Sequence, residues 1–165
     1  MRHQSIDILC MQETHRDISD YYVSDGGYLF IFSGSADEED KETAGVGFII
    51  SPRLRSSVVG FRQETARMAY VKLRVQGGKA IVGSAYAPHN GKSFEDRQRF
   101  FTSLGAFLAQ TSRHGPMILL GDFNARLHRR HPQEEHIMGP HVFGHPEAEH
   151  NAASNRSLLV HITNL

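Results

Sequence analysis

The sequence lacks a net charge, a second cysteine and any long apolar run. Lys plus Arg and Asp plus Glu each number 18 in 165 residues, so the formal charge is zero and overall charge gives no argument for a nucleic-acid partner. The single cysteine, Cys10, excludes an internal disulfide, and its apolar context predicts a reduced, buried thiol. No stretch approaches the ~18 apolar residues of a membrane helix, and the N-terminus lacks the apolar core of a secretory signal. We therefore expect an intracellular protein that is neither secreted nor embedded in a membrane.

The apolar pattern predicts mostly strands within one domain spanning residues 1–165. Strands are expected in IDILCMQETH, YLFIF, AGVGFIIS and MILLGDFN, and the first, almost continuously apolar, is expected to be covered on both faces. The pattern MAYVKLRVQGGKAIVGSAYAP predicts a hairpin turning at Gly77-Gly78. Ser93 predicts the start of a helix. The apolar stripe of that helix consists of Phe100, Leu104, Phe107 and Leu108. This order of elements favours a sandwich of sheets and helices.

Polar side chains follow several of the predicted strands. Residues two apart in an extended chain point the same way, so Asp122 and Asn124 in GDFN are expected to face one side together. Glu13 and Tyr86 end two other strands, and all four groups are expected to converge on one rim. Two nearby carboxylates repel each other unless a cation lies between them, and oxygen ligands favour Mg²⁺ or Mn²⁺ over zinc. Taken singly, each group also has an ordinary interpretation: a solvated glutamate, a half-buried strand tyrosine, or a turn at GDFN.

A family resemblance is carried by the order and spacing of four segments: DILCMQETH, AGVGFIISPRL, YAPHNG and LLGDFNARL. The segments MGPHVFG and NRSLLV add to this resemblance. The sequence resembles the endonuclease/exonuclease/phosphatase family, and within it the apurinic-type endonuclease domain of non-LTR retrotransposons. The resemblance covers nearly the whole chain. It implies an α+β fold, the four-layer α/β/β/α sandwich of the DNase I-like type.

The resemblance also implies roles for the residues at the strand ends. Glu13 would bind the metal, and Asp122 would orient or activate the attacking water. Asn124 and Tyr86 would contact the scissile phosphate. The cofactor implied is Mg²⁺ or Mn²⁺, and the reaction is hydrolysis of a phosphodiester, with nicking of DNA as the leading interpretation.

Further residues are candidates for binding the substrate. His89 sits where apurinic endonucleases of the family often have Asn, and Asn90 follows one place later, so either position could serve. The cluster Arg126, Arg129 and Arg130 is a local positive patch that could hold the phosphate backbone of DNA, although an exposed charge run is an equally good interpretation. The histidine-rich segment after it matches no standard zinc spacing, and a solvated loop is favoured.

The resemblance carries expectations about partners and completeness. A monomer is expected, in the nucleus, with a reverse transcriptase module in a parent polyprotein. Family domains also have a first strand bearing an Asn and C-terminal strands bearing an Asp and a Ser-Asp-His motif, and these 165 residues contain neither. We therefore expect an incomplete sandwich with reduced activity. The alternatives are an inactive remnant of such a domain, or a family phosphatase or phosphodiesterase that acts on a substrate other than nucleic acid.

Overall fold

The computed structural model describes residues 1–35, 44–125 and 132–141. Packing divides the chain into two compact units. The first comprises Met1–Tyr86 and Gln110–Asp122, and the second contains residues 87–109 together with the described residues that follow position 122. All eight strands of the described residues lie in the first unit.

The described part of the chain contains eight strands, two helices and three 3₁₀ turns. The strands, in chain order, are β1 (Ile8–Gln12), β2 (Asp20–Val23), β3 (Leu29–Ser33), β4 (Val46–Ile50), β5 (Val58–Thr65), β6 (Met68–Val75), β7 (Gly78–Tyr86) and β8 (Met117–Asp122). The helices are α1 (Pro52–Arg55) and α2 (Phe94–Thr111), with single 3₁₀ turns at Arg2–Gln4, Ser112–His114 and Pro132–Glu134. In the described ranges, no helix is long and apolar enough to cross a membrane.

The strands form two four-stranded sheets. The first has the order β1-β4-β3-β2 and is antiparallel throughout. The second has the order β5-β6-β7-β8, in which β7 and β8 run parallel while the other pairs are antiparallel. Both β1 and β8 are edge strands within the described residues, and this places their C-terminal ends where side chains can remain open to solvent.

The core of the first unit lies between the two sheets. Side chains on the facing sides of the two sheets form this core, and β4, β6 and β7 also contain runs of consecutive buried residues. The buried cluster consists of Ile31, Val46, Phe48, Ile50, Ala69, Val71, Leu73, Val82 and Tyr86. Complete burial of one large apolar side chain contributes roughly 1.5–3 kcal/mol, so this cluster is the main force that holds the sheets together.

Three local predictions are confirmed. The hairpin of β6 and β7 turns at Gly77, whose φ of 82° is in the left-handed region that glycine tolerates. Ser93 caps α2: its Oγ accepts a hydrogen bond from the Asp96 N–H (3.1 Å) and donates one to Oδ2 of the same residue (2.7 Å). The predicted apolar stripe of α2 is buried throughout.

Other predictions need correction. Strand β1 is not covered on both faces by the described residues: Leu9 is 39% exposed and no residue of the strand is fully buried. The YLFIF strand begins one residue later, at Leu29. Strands β2 and β5 were not predicted: β2 is only four residues long with an exposed face, and the register of β5 shifts twice against β6, which disrupts its alternation.

Candidate active site

Three of the predicted site residues meet in the first unit. Glu13 directly follows β1, Tyr86 is the last residue of β7, and Asp122 is the last residue of β8. The parallel register pairs Tyr86 with Asp122, so these two residues end neighbouring strands side by side. The structure therefore confirms that separate strands deliver these three side chains to one place.

The Tyr86 side chain links the core to this rim. Its ring is buried in the cluster between the sheets, and its hydroxyl donates a 2.7 Å hydrogen bond to Oε1 of Glu13. Burial, the bond to Glu13 and the negative charges of Glu13 and Asp122 together raise the pKa of Tyr86 to about 12, while the positive charge of Arg67 acts in the opposite direction. The hydroxyl is consequently a protonated hydrogen-bond donor at neutral pH.

Glu13 occupies a special backbone conformation. Its φ is 55°, in the left-handed region that non-glycine residues rarely adopt, and such residues cost roughly 1–3 kcal/mol each. The next residue stabilises this conformation, because the Thr14 N–H donates a hydrogen bond to the Gly45 carbonyl at 3.3 Å. Position 45 must be glycine, since a Cβ there would lie 2.4 Å from Thr14 Oγ1. The chain thus turns sharply after β1 and holds the Glu13 carboxylate at the rim.

A buried polar contact ties β1 to β7 just below the site. Ser84 is fully buried, its Oγ accepts a hydrogen bond from Gln12 Nε2 (3.1 Å), and it donates to the Met11 carbonyl (3.4 Å). The contact fixes the spacing between Glu13, which lies one residue after Gln12, and Tyr86, which lies two residues after Ser84. This contact was not predicted from the sequence. The signal for it is a serine inside the otherwise apolar run of β7.

Gly121 brings β8 close to β7 immediately before Asp122. A Cβ at this position would lie 2.0 Å from the Ala85 carbonyl oxygen, so no larger residue fits while the register is kept. The glycine permits this close approach of two backbones, which places Asp122 beside Tyr86.

Asn124, His89 and Asn90 belong to the second unit. Asn124 donates from Nδ2 to the Ala87 carbonyl at 2.7 Å, and its φ of 47° is left-handed. The extended alternation used to predict that Asp122 and Asn124 face one side therefore does not continue to Asn124. His89 Nδ1 accepts from the Gly91 N–H (3.0 Å), and Asn90 Oδ1 accepts from Arg97 (3.3 Å).

The predicted positive patch cannot be placed. Arg126, Arg129 and Arg130 lie outside the described residues, as does most of the histidine-rich segment. Their roles as contacts for DNA stay predictions.

Comparison with known proteins identifies the family. Residues 1–154 match the endonuclease/exonuclease/phosphatase family. The chain belongs to the endonuclease/exonuclease/phosphatase family. No curated protein matches the sequence. Among solved structures, the chain is similar to the human Nocturnin catalytic domain with bound sulfate anion, at 16% identity and a TM-score of 0.51, over 76% of this chain and 54% of that one.

These findings confirm the α+β, DNase I-like fold class. The chain spans about half the length of the similar catalytic domain. Members of the endonuclease/exonuclease/phosphatase family are hydrolytic enzymes that act on phosphodiesters, and they generally use divalent metal ions. The retrotransposon likeness within the family stays a prediction.

The side chains at this site can be compared with the ligands that a divalent metal ion requires. Within residues 1–35, 44–125 and 132–141, no cluster of three or more His, Cys, Asp or Glu side chains could hold a metal by itself. Glu13 nevertheless accepts the hydrogen bond of the Tyr86 hydroxyl, and Asp122 ends the strand beside Tyr86. Both side chains are exposed and offer only oxygen. Mg²⁺ typically takes one or two carboxylates and completes its shell with water and substrate phosphate. The residues therefore fit an open magnesium-type site and do not fit a closed structural one.

Proposed function

We propose that this chain is a metal-dependent phosphodiesterase that nicks DNA. The observation that carries the proposal is the meeting of Glu13, Tyr86 and Asp122 at the ends of three strands, with the Tyr86 hydroxyl bonded to Glu13. A phenol that stays protonated beside two carboxylates suits a site where an anionic ester is held and attacked.

Each residue of the site has a proposed role. Glu13 and Asp122 would hold the cation, which when bound supplies Lewis-acid polarisation of the phosphoryl group. Asp122 also accepts a proton from the attacking water. The Tyr86 hydroxyl, which donates to Glu13 without substrate, turns its hydrogen bond to a non-bridging phosphate oxygen when substrate is bound. Asn124 is assigned to the same phosphate on the family resemblance.

DNA as the substrate rests on the likeness of the four quoted segments to retrotransposon endonucleases. The same likeness supports a nuclear location and a reverse transcriptase module as a partner in a longer polyprotein. Since the Ser-Asp-His motif is not present in these 165 residues, we expect slow turnover, because a positioned acid/base group contributes about 10²–10⁴-fold to a rate.

A plasmid-nicking assay tests this proposal. We expect the chain to convert supercoiled plasmid to the open circle with Mg²⁺ and not with EDTA. Asp122→Asn should reduce the rate by about 10²–10⁴-fold, because the variant cannot accept the proton of water. Asp25→Asn, which removes an equally exposed carboxylate from a loop, is the matched control and should leave the rate unchanged. No metal-dependent nicking by the unaltered chain, or equal nicking by Asp122→Asn, would contradict the proposal.

A further inference from the structure

An arginine that no sequence motif singled out lies against the site. Arg67 stands in the two-residue connection between β5 and β6. Its guanidinium carbon is 5.2 Å from the centroid of the Tyr86 ring, and its side chain is half-buried. A positive charge is therefore held beside the phenol that also bonds Glu13.

Backbone hydrogen bonds fix the position of this arginine. The Arg67 carbonyl accepts the Tyr86 N–H at 2.9 Å, and the Arg67 N–H donates to Thr65 Oγ1 at 3.1 Å. The preceding carbonyl, of Ala66, accepts the Gly45 N–H at 3.0 Å. Gly45 is the residue that also holds the turn after β1 through Thr14. One short network therefore anchors Arg67 to the segments that carry Tyr86 and Glu13.

A guanidinium in this place has two possible uses. It could simply stabilise the fold through the ring, since cation–π contacts contribute about 0.5–2 kcal/mol. It could also bind an anionic ligand, because its planar set of donors matches two phosphate oxygens at once. The second use explains why a fixed cation stands beside a hydroxyl that donates toward the open rim. Because the guanidinium carbon is 5.2 Å from the centroid of the ring that carries this hydroxyl, one phosphate could contact both groups.

We propose that Arg67 is a further substrate-binding residue, which contacts the phosphate group held by Tyr86 at this site. The inference rests on the proposed function, and it extends that function by naming a phosphate contact outside the strand-end motifs. The ligand class is a phosphate monoanion or a phosphodiester, whatever the rest of the substrate is.

Titration with inorganic phosphate tests the assignment without any turnover. In the ¹⁵N-labelled chain, we expect the Arg67 Nε–H resonance to shift on addition of phosphate. Arg67→Met should weaken phosphate binding by about ten- to a hundredfold, the size expected for a charge-assisted hydrogen bond. Arg67→Lys should recover part of the loss, because it keeps the charge without the planar donor pair. Arg62→Met is the matched control: Arg62 is exposed, lies on β5 and is paired with Glu64 at 3.2 Å, so binding should be unchanged.

The outcomes separate this inference from the proposed function. Unchanged phosphate affinity in Arg67→Met, or no shift of the Arg67 resonance at saturation, overturns the inference even if plasmid is nicked. Phosphate binding that depends on Arg67, found together with no nicking by the unaltered chain, supports the inference and contradicts only the nuclease proposal. If Arg67→Met does not fold, the resonance of the unaltered chain and the Lys variant still decide the question.

Discussion

Strand β1 has a carboxylate at each end, and the two carboxylates have opposite surroundings. Asp7, just before the strand, accepts hydrogen bonds from two N–H groups of Arg53 and from the Ser51 hydroxyl (2.8 Å). Glu13, just after the strand, accepts one from Tyr86 and, among the described residues, makes no ion pair. The bond from Arg53, followed by that from Ser51, holds the pKa of Asp7 below its usual 3.8.

The difference supports the proposal that the Glu13 end holds a ligand. At the Asp7 end a cation from the chain already compensates the negative charge. At the Glu13 end a second carboxylate, Asp122, lies beside the same phenol as the guanidinium of Arg67, and the backbone adopts a costly left-handed conformation at Glu13. Strain and like charge are found together at functional sites more often than at structural ones. We therefore propose a structural role for Asp7 and a functional one for Glu13.

The largest expected effect comes from neutralising each carboxylate in turn. Glu13→Gln should lower the plasmid-nicking rate by about a hundredfold or more, because the amide is a poor ligand for a hard cation. Asp7→Asn should leave the rate of the folded protein unchanged, since its carboxylate is engaged by Arg53. Equal losses in the two variants, measured at equal folded fraction by circular dichroism, would remove the distinction between the ends.

A substitution that displaces Asp122 without touching Asp7 should have the next largest effect on nicking. Gly121→Ala places a methyl group against the Ala85 carbonyl, and overpacking of this kind costs about 1–3 kcal/mol. We expect urea denaturation to show this loss and nicking to fall in the folded protein, because β8 must move away from β7 and take Asp122 with it. Gly139→Ala, where a Cβ meets nothing within 4 Å, is the control and should change neither property. Full stability and activity in Gly121→Ala would show that the close approach is not required.

The contact between Gln12 and Ser84 should have a smaller effect. A double-mutant cycle with Gln12→Ala and Ser84→Ala is expected to give a coupling energy of about 1 kcal/mol in urea denaturation, the net value of one buried hydrogen bond. The single variants should also reduce nicking without changing how the melting temperature depends on pH. A coupling energy near zero would mean that this contact does not hold the two strands in register.

The smallest effect should appear at the Asp7 end, in acid. Because the folded pKa of Asp7 is lowered, its contribution to stability is present above about pH 4 and is lost as the pH falls through the folded value. The melting temperature of the unaltered chain should therefore approach that of Asp7→Asn as the pH is lowered from 5 to 3. A difference in melting temperature that stays constant over this range would contradict the ion pair as its cause.

The sequence predicted those parts of the fold and the site that have local signals. Gly77-Gly78 marks a hairpin turn and Ser93 with Asp96 marks a helix start, because each signal and its effect lie within a few residues. The three strand-end residues followed from apolar runs that stop at polar groups. The quoted segments also predicted the family correctly.

The remaining parts depend on contacts that are distant in the chain. Ser84 and Gln12 are 72 residues apart, and Arg67 approaches Tyr86 only because β6 and β7 pair. Coverage of the faces of β1 depends on which distant elements pack over it, and the prediction that both faces are covered was wrong, since Leu9 is exposed. The left-handed backbone at Asn124 overrides the two-residue alternation, and no pattern in GDFN distinguishes the two conformations.

Titration of the chain with Mg²⁺ by calorimetry measures binding at the proposed metal site without requiring turnover. We expect one binding event in the unaltered chain, lost in Glu13→Gln and in Asp122→Asn and retained in Asp7→Asn. Binding that persists unchanged in Glu13→Gln, or that disappears in Asp7→Asn, would show that the ends of β1, β7 and β8 do not form the metal site.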